Sequence, residues 1–156
     1  MSLIVIETSI AAPIERVFDL SRSIDLHFES TRETGERAID GITTGLIGLD
    51  QTVTWKARHF GIWQTLTSKI TQFDRPNSFQ DCMVKGAFRY FTHDHIFTFS
   101  DNVTIVTDRF EFASPYGFLG NIMDALIMKR YLKRLLIIRN YVIKETAESS
   151  TWSSYL

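Results

Sequence analysis

The sequence predicts an α+β fold in which an antiparallel sheet packs on one long C-terminal helix and encloses an apolar cavity. Three observations carry that expectation. Tyr116 to Glu148 has apolar residues at helical spacing and no proline after Pro115. The middle of the chain divides into strand-length runs whose apolar and polar faces match across hairpins. Twelve Phe and three Trp in 156 residues are more aromatic bulk than a small core ordinarily needs, which points to an apolar cavity.

Leu3 to Ile10 is short and rich in β-branched residues, with Ile4, Ile6 and Ile10 on one face, and reads as a strand. Pro13 then suits the first turn of a helix over Glu15 to Leu20 that buries Val17, Phe18 and Leu20. Ser23 caps a second short helix reaching about Ser30, with Ile24 and Phe28 on its apolar side. Glu33 to Gly48 contains Gly41, Gly45 and Gly48 but lacks the Lys-Ser/Thr pair of a phosphate loop. It reads as a mobile connection flanking a pocket.

A four-residue turn at Phe60-Gly61-Ile62-Trp63 sets His59 opposite Gln64. Val53 then faces Ile70, Trp55 faces Ser68 and Ala57 faces Leu66, all on one side, while the other side is wholly polar. Phe79 to Val84 is a further strand, with Phe79, Asp81 and Met83 on a shared face. Asp101-Asn102 tolerates positive φ and turns the next hairpin, so Ser100 faces Val103. One face of that hairpin pairs Phe97 with Val106, His95 with Asp108, His93 with Phe110 and Phe91 with Phe112. The other pairs Asp94 with Arg109 as a solvated ion pair.

In the second half of the long helix Met128, Tyr131, Leu132, Leu135, Ile138 and Val142 form one stripe, opposite Lys129, Arg130, Lys133, Arg134 and Lys144. Leu119, Ile122, Met123, Leu126 and Ile127 form an earlier stripe displaced by more than a quarter turn. The helix therefore bends near Met128 or covers two surfaces. Its displaced face closes the cavity or meets a partner, including a second copy of the chain in a homodimer. Ser149 to Leu156 is expected to be a disordered tail after a domain spanning residues 1–148.

A net charge of −1 lacks the footprint of nucleic-acid binding. One cysteine, Cys82, excludes a disulfide framework and a multi-thiolate metal site. The first strand carries Glu7 and no basic leader, arguing against a secretory signal, and the charges at Lys129, Arg130, Lys133, Arg134 and Arg139 exclude a membrane span. The expectation is a reduced, cytoplasmic protein.

His95 and Asp108 are the centre of the expected site, because a buried aspartate needs a donor such as an imidazole N–H. Either they are a satisfied structural pair that fixes strand register, or they serve as the polar anchor of a ligand site formed with Trp55, His59, Phe79, Asp81, Met83, Phe91, His93, Phe97, Phe110 and Phe112. The alternative makes His95 a general base oriented by Asp108, in a cyclase-type or hydrolytic enzyme. His93-x-His95 has a spacing that can chelate a metal with Asp81 or Asp108, but two histidines two apart on a strand arise easily by chance. No metal or cofactor is assigned on that pattern. His27 has no evident partner.

The order of strand, two short helices, antiparallel strands and one long helix resembles the helix-grip fold of the START/Bet v 1-like superfamily, also called SRPBCC. The resemblance runs from Ile4 to about Glu148 and rests on Ala12-Pro13-Ile14-Glu15-Arg16-Val17-Phe18, Thr54-Trp55-Lys56-Ala57-Arg58-His59-Phe60-Gly61, His93-Asp94-His95-x-Phe97, Asp108 and Pro115-Tyr116-Gly117. The later motifs look like an uncharacterised bacterial branch labelled polyketide cyclase/dehydrase. The resemblance implies a curved sheet gripping the helix around an elongated cavity for a lipid, quinone or polyketide-like molecule. The acidic and arginine-rich constellation of aromatase/cyclases is not matched, so the resemblance and the residues together favour binding over catalysis.

Overall fold

The computed structural model describes residues 1–156 and builds one seven-stranded antiparallel sheet against a C-terminal helix. β1 (Ser2–Ile10) leads into α1 (Ile14–Ser21) and α2 (Ile24–Ser30). β2 (Arg37–Gly41), β3 (Thr52–His59), β4 (Ile62–Asp74), β5 (Ser78–Lys85), β6 (Tyr90–Ser100) and β7 (Val103–Ala113) follow. The spatial order is β1-β7-β6-β5-β4-β3-β2, so only the first strand is displaced from its chain neighbours. Ser23 caps α2 by accepting from the Leu26 N–H, as expected, but Leu26 is buried there and Phe28 lies exposed.

The β6–β7 register is the one read from the sequence, from Ser100 opposite Val103 to Phe91 opposite Phe112. The expected Asp94–Arg109 ion pair does not form, because Asp94 accepts from Gln80 at 2.7 Å instead. In β3–β4 the turn is two residues shorter than expected, placing His59 opposite Ile62 and Trp55 opposite Leu66. Phe60 and Gly61 both adopt positive φ, 51° and 76°, a conformation that a bulky residue such as Phe seldom takes. A slip of two residues preserves strand parity, so the inward face survives with different partners. β2 arises within the segment read as a mobile connection; apart from its closing glycine, Ala38 and Ile39 are its only apolar residues, too few to signal a strand.

The long helical segment changes geometry where the two stripes lose phase. α3 (Gly117–Met123) passes through a π-helical turn over Asp124–Met128 into α4 (Lys129–Glu148). The extra residue in such a turn rotates everything after it. Asp124, fully buried, anchors this point by accepting from the Ser114 N–H at 2.8 Å and from the Ser114 hydroxyl. Met123 and Met128 face the cavity, whereas Leu119, Leu126 and Ile127 stay exposed. Along α4 the inward stripe runs through Leu132, Leu136, Arg139 and Ile143. Ile138 and Val142 sit at its margin rather than its centre.

The expected disordered tail instead forms a 3₁₀ turn over Ser150–Ser154. Trp152 and Tyr155 pack on the main core, and the Arg16 guanidinium lies 4.1 Å above the Trp152 ring. Burying two aromatic side chains offsets the entropy of ordering so short a segment.

Candidate ligand-binding site

Between sheet and helix lies a cavity of about 420 Å³, lined by 36 residues of which 20 are hydrophobic. That volume falls in the range of small-molecule sites. Of the residues expected to form the site, Trp55, His59, Phe79, Asp81, Phe91, His93, His95 and Phe110 line it. Met83, Phe97, Asp108 and Phe112 do not. Phe97 packs on Phe18 with ring centroids 5.2 Å apart, Phe112 packs on Phe88 at 5.6 Å, and Met83 joins the same cluster as Phe112. Asp108 stands behind the histidines with no exposed surface.

A polar layer crosses the inner wall at one level. Along β6 the inward residues run Phe91, His93, His95 and Phe97, and along β7 Phe112, Phe110, Asp108 and Val106. The apolar ends of both strands join different core clusters, so the charged groups occupy the boundary between them. His93 Nε2 donates to Asp108 Oδ1 at 2.8 Å, while His95 Nε2 meets Asp81 Oδ1 at 2.8 Å. His95 and Asp108 are register partners as expected, yet their contact, Nδ1 to Oδ1 at 3.2 Å, is too bent for a hydrogen bond. The straight bond of Asp108 is to His93.

The second oxygen of Asp108 accepts from Asn140 Nδ2 at 2.6 Å, and Asn140 also reaches Thr8 at 3.1 Å. Arg139 binds Asn140 Oδ1 at 3.0 Å and the Ser21 carbonyl at 2.9 Å, with its guanidinium 3.7 Å from Asp108. Arg139 and Asn140 escaped the sequence reading, which counted Arg139 only as a charge against membrane insertion. Its place four and seven residues beyond Leu135 and Leu132 was the available signal, because a charge on an apolar stripe must be paired.

Burial acts on both carboxylates and both imidazoles of this layer, with or against the neighbours of each. Burial alone would raise the Asp108 carboxyl, but the bond from His93, the close approach of His95 and the Arg139 charge hold it well below the usual carboxylate range. Asp81 is lowered in the same way against its burial, chiefly by His95. His93 is pushed down by burial and by the neighbouring His95, favouring the neutral imidazole. Burial also opposes the charged form of His95, but Asp108 and Asp81 outweigh it and raise its pKa. Since ionised Asp108 can only accept, neutral His93 carries its proton on Nε2 and turns the Nδ1 lone pair toward the cavity.

Nearer the other end, His59 Nδ1 contacts the Tyr131 hydroxyl at 2.5 Å, and the exposed side chains of Phe60 and Tyr116 stand beside the opening. Burial lowers the His59 pKa, opposed by Glu36. His27, without an expected partner, contacts Glu36 at 2.5 Å and lies over Trp55 at 4.3 Å. Arg22 and Glu36 add charge to the cavity wall, and Cys82 lies among Thr71, Gln80 and Thr92 away from it.

The curved sheet, the two short helices after β1 and the long closing helix form a helix-grip fold of the Bet v 1 type. The chain is similar in structure to TTHA0849 from Thermus thermophilus, with a TM-score of 0.72 at 16% identity over 94% of this chain and 99% of that one. Ginseng major latex-like protein 151 from Panax ginseng matches with a TM-score of 0.70 at 13% identity over 95% of this chain and 98% of that one. Ara h 8.0201 matches at 0.61 and 12% identity over 91% and 97%. No family model and no curated protein matches the chain by sequence. What is shared is therefore the architecture, which serves many functions. No helix is long and apolar enough to cross a membrane.

Proposed function

We propose that the chain binds or carries a small, mostly apolar molecule with one polar end, such as a lipid, quinone or polyketide-like compound. The observation that carries this reading is the meeting of an apolar cavity of about 420 Å³ with a hydrogen-bonded charged layer at its inner wall. Each methylene group moved from water into the cavity contributes about 0.8 kcal/mol, which supplies affinity without specificity. The Nδ1 of His93 and the carboxylate of Asp81 supply orientation, since a ligand hydroxyl can donate to either and a wrong end would leave His93 Nδ1 unpaired. Asp108 holds His93 from behind rather than touching the ligand.

Native mass spectrometry followed by denaturing extraction tests the reading. The expected result is a released molecule with an apolar body and an oxygen-bearing end. Leu132→Trp, which fills the cavity from α4, should lower uptake of an apolar fluorescent probe at least about tenfold. An empty protein that also takes up no such probe would sink the proposal.

A further inference from the structure

Three donors of two chemical kinds converge on the inner wall. His93 and His95 project from one face of β6, and Asp81 on β5 is the register partner of His93. One ligand atom from each lies within 4.8 Å of the other two. Asp81 Oδ1 is 2.8 Å from His95 Nε2 and 3.8 Å from His93 Nδ1. Metal–ligand bonds of about 2.0–2.2 Å place neighbouring donors about 3–3.5 Å apart, so the two separations from Asp81 need adjustments of only about half an ångström.

We propose that Asp81, His93 and His95 hold a divalent first-row transition-metal ion whose remaining coordination positions open into the cavity. All three residues line the cavity, so an oxygen of a bound molecule has access to those positions. This deepens the carrier reading, on which it rests for the organic ligand: the polar end is gripped by a metal rather than by hydrogen bonds alone.

A separate observation supports the assignment. An imidazole that ligates through one nitrogen must place the proton of the other on an acceptor. Asp108 Oδ1 stands 2.8 Å from His93 Nε2 and 3.2 Å from His95 Nδ1, the two nitrogens left over when His93 ligates through Nδ1 and His95 through Nε2. His95 Nδ1 is fully buried and otherwise without a partner, and Asn140 fixes the far side of the same carboxylate. A single aspartate thus holds His93 by a hydrogen bond and stands beside the remaining nitrogen of His95, the acceptor nearest to it.

The donor set selects the ion class. Two imidazoles and a carboxylate suit zinc, ferrous iron, cobalt or nickel, whereas calcium and magnesium favour oxygen ligands throughout. With both imidazoles neutral, the fixed charges are those of Asp81, Asp108 and Arg139, a net −1 that attracts a dication.

Titration of the full chain with Co²⁺, after dialysis against a chelator, tests the site without any organic ligand. The expected result is one equivalent bound with visible d–d absorption. Asp81→Asn and His95→Gln should each weaken binding by at least about 100-fold, and Asp108→Asn by about 10–100-fold although it touches no metal. Circular dichroism checks folding; should His95→Gln unfold, Asp81→Asn decides, since it keeps the side-chain shape at a partly exposed position. No cobalt uptake by the folded wild type, or uptake untouched by Asp81→Asn, overturns the site. A chain that releases an apolar molecule yet takes up no cobalt overturns the metal and leaves the carrier reading standing; one that takes up cobalt in an empty, probe-refusing cavity does the reverse.

Discussion

The two apolar clusters on either side of the polar layer are built differently. The larger contains 16 buried residues centred on α1, where Phe18 touches the rings of Phe73, Phe79 and Phe97 at 5.2–5.4 Å. The smaller has only four buried members, Ile4, Phe91, Phe110 and Phe112, and completes itself with side chains such as Leu66, Leu132 and Leu136 that border the cavity. Around Phe18 the larger cluster is closed packing that stabilises the fold, and it borders the cavity only on its inner side, through residues such as Val53, Trp55, Ile70 and Phe79. The smaller is an unfinished core whose missing partner is the space a ligand would fill, so the packing around α1 contributes mainly stability and the smaller cluster mainly binding surface.

That separation breaks first at Phe18. Phe18→Ala should destabilise the chain by about 3–5 kcal/mol in urea unfolding, because a fully buried ring leaves a cavity that its neighbours cannot close. Arg139→Met, on the boundary, should cost about 1–3 kcal/mol by stranding the Ser21 carbonyl and Asn140 Oδ1. A loss as large as that of Phe18→Ala would instead mean that the polar layer, not the α1 core, holds the sheet to the helix. Leu136→Ala should cost about 1 kcal/mol or less, since one side of Leu136 already faces open space, while changing the size of apolar probe that binds. Equal losses for Leu136→Ala and Phe18→Ala would erase the distinction between the clusters.

The smallest effect is expected at His59, near the opening. Its folded pKa is lowered by burial, so below the unfolded value of 6.5 the unfolded chain takes up a proton that the folded chain resists. The stability it protects is present above pH 6.5 and is lost as pH falls toward the lowered folded value. Unfolding free energies at neutral and mildly acidic pH should therefore fall more steeply for the wild type than for His59→Gln. Equal slopes would show that burial of His59 does not oppose its charging.

How much could be read in advance varied with the kind of residue at each turn. Asp101-Asn102 announces a positive-φ turn by its chemistry, and the β6–β7 register followed to the last pair. Phe60 takes the same conformation with no such chemistry, and its hairpin came out two residues off. Trp152 and Tyr155 made an ordered end of what reads by composition as a disordered tail, because their docking surface is assembled from distant segments. The cavity wall was legible in alternation along β6 and β7, but alternation cannot tell a lining phenylalanine such as Phe91 from a packed one such as Phe97.

By itself, the sequence determined the elements, the inward faces and the presence of buried histidines beside a buried aspartate, since these follow from period, turn chemistry and the cost of an unpaired charge. Only the tertiary structure decided which carboxylate meets which imidazole. Asp81 comes from β5, Asn140 and Arg139 from α4, and the angle at His95 that turns Asp108 toward His93 depends on how the sheet coils beneath the helix. Hydrogen-bond direction is set to within tenths of an ångström by packing between segments far apart in the chain, and no local pattern of residues records it.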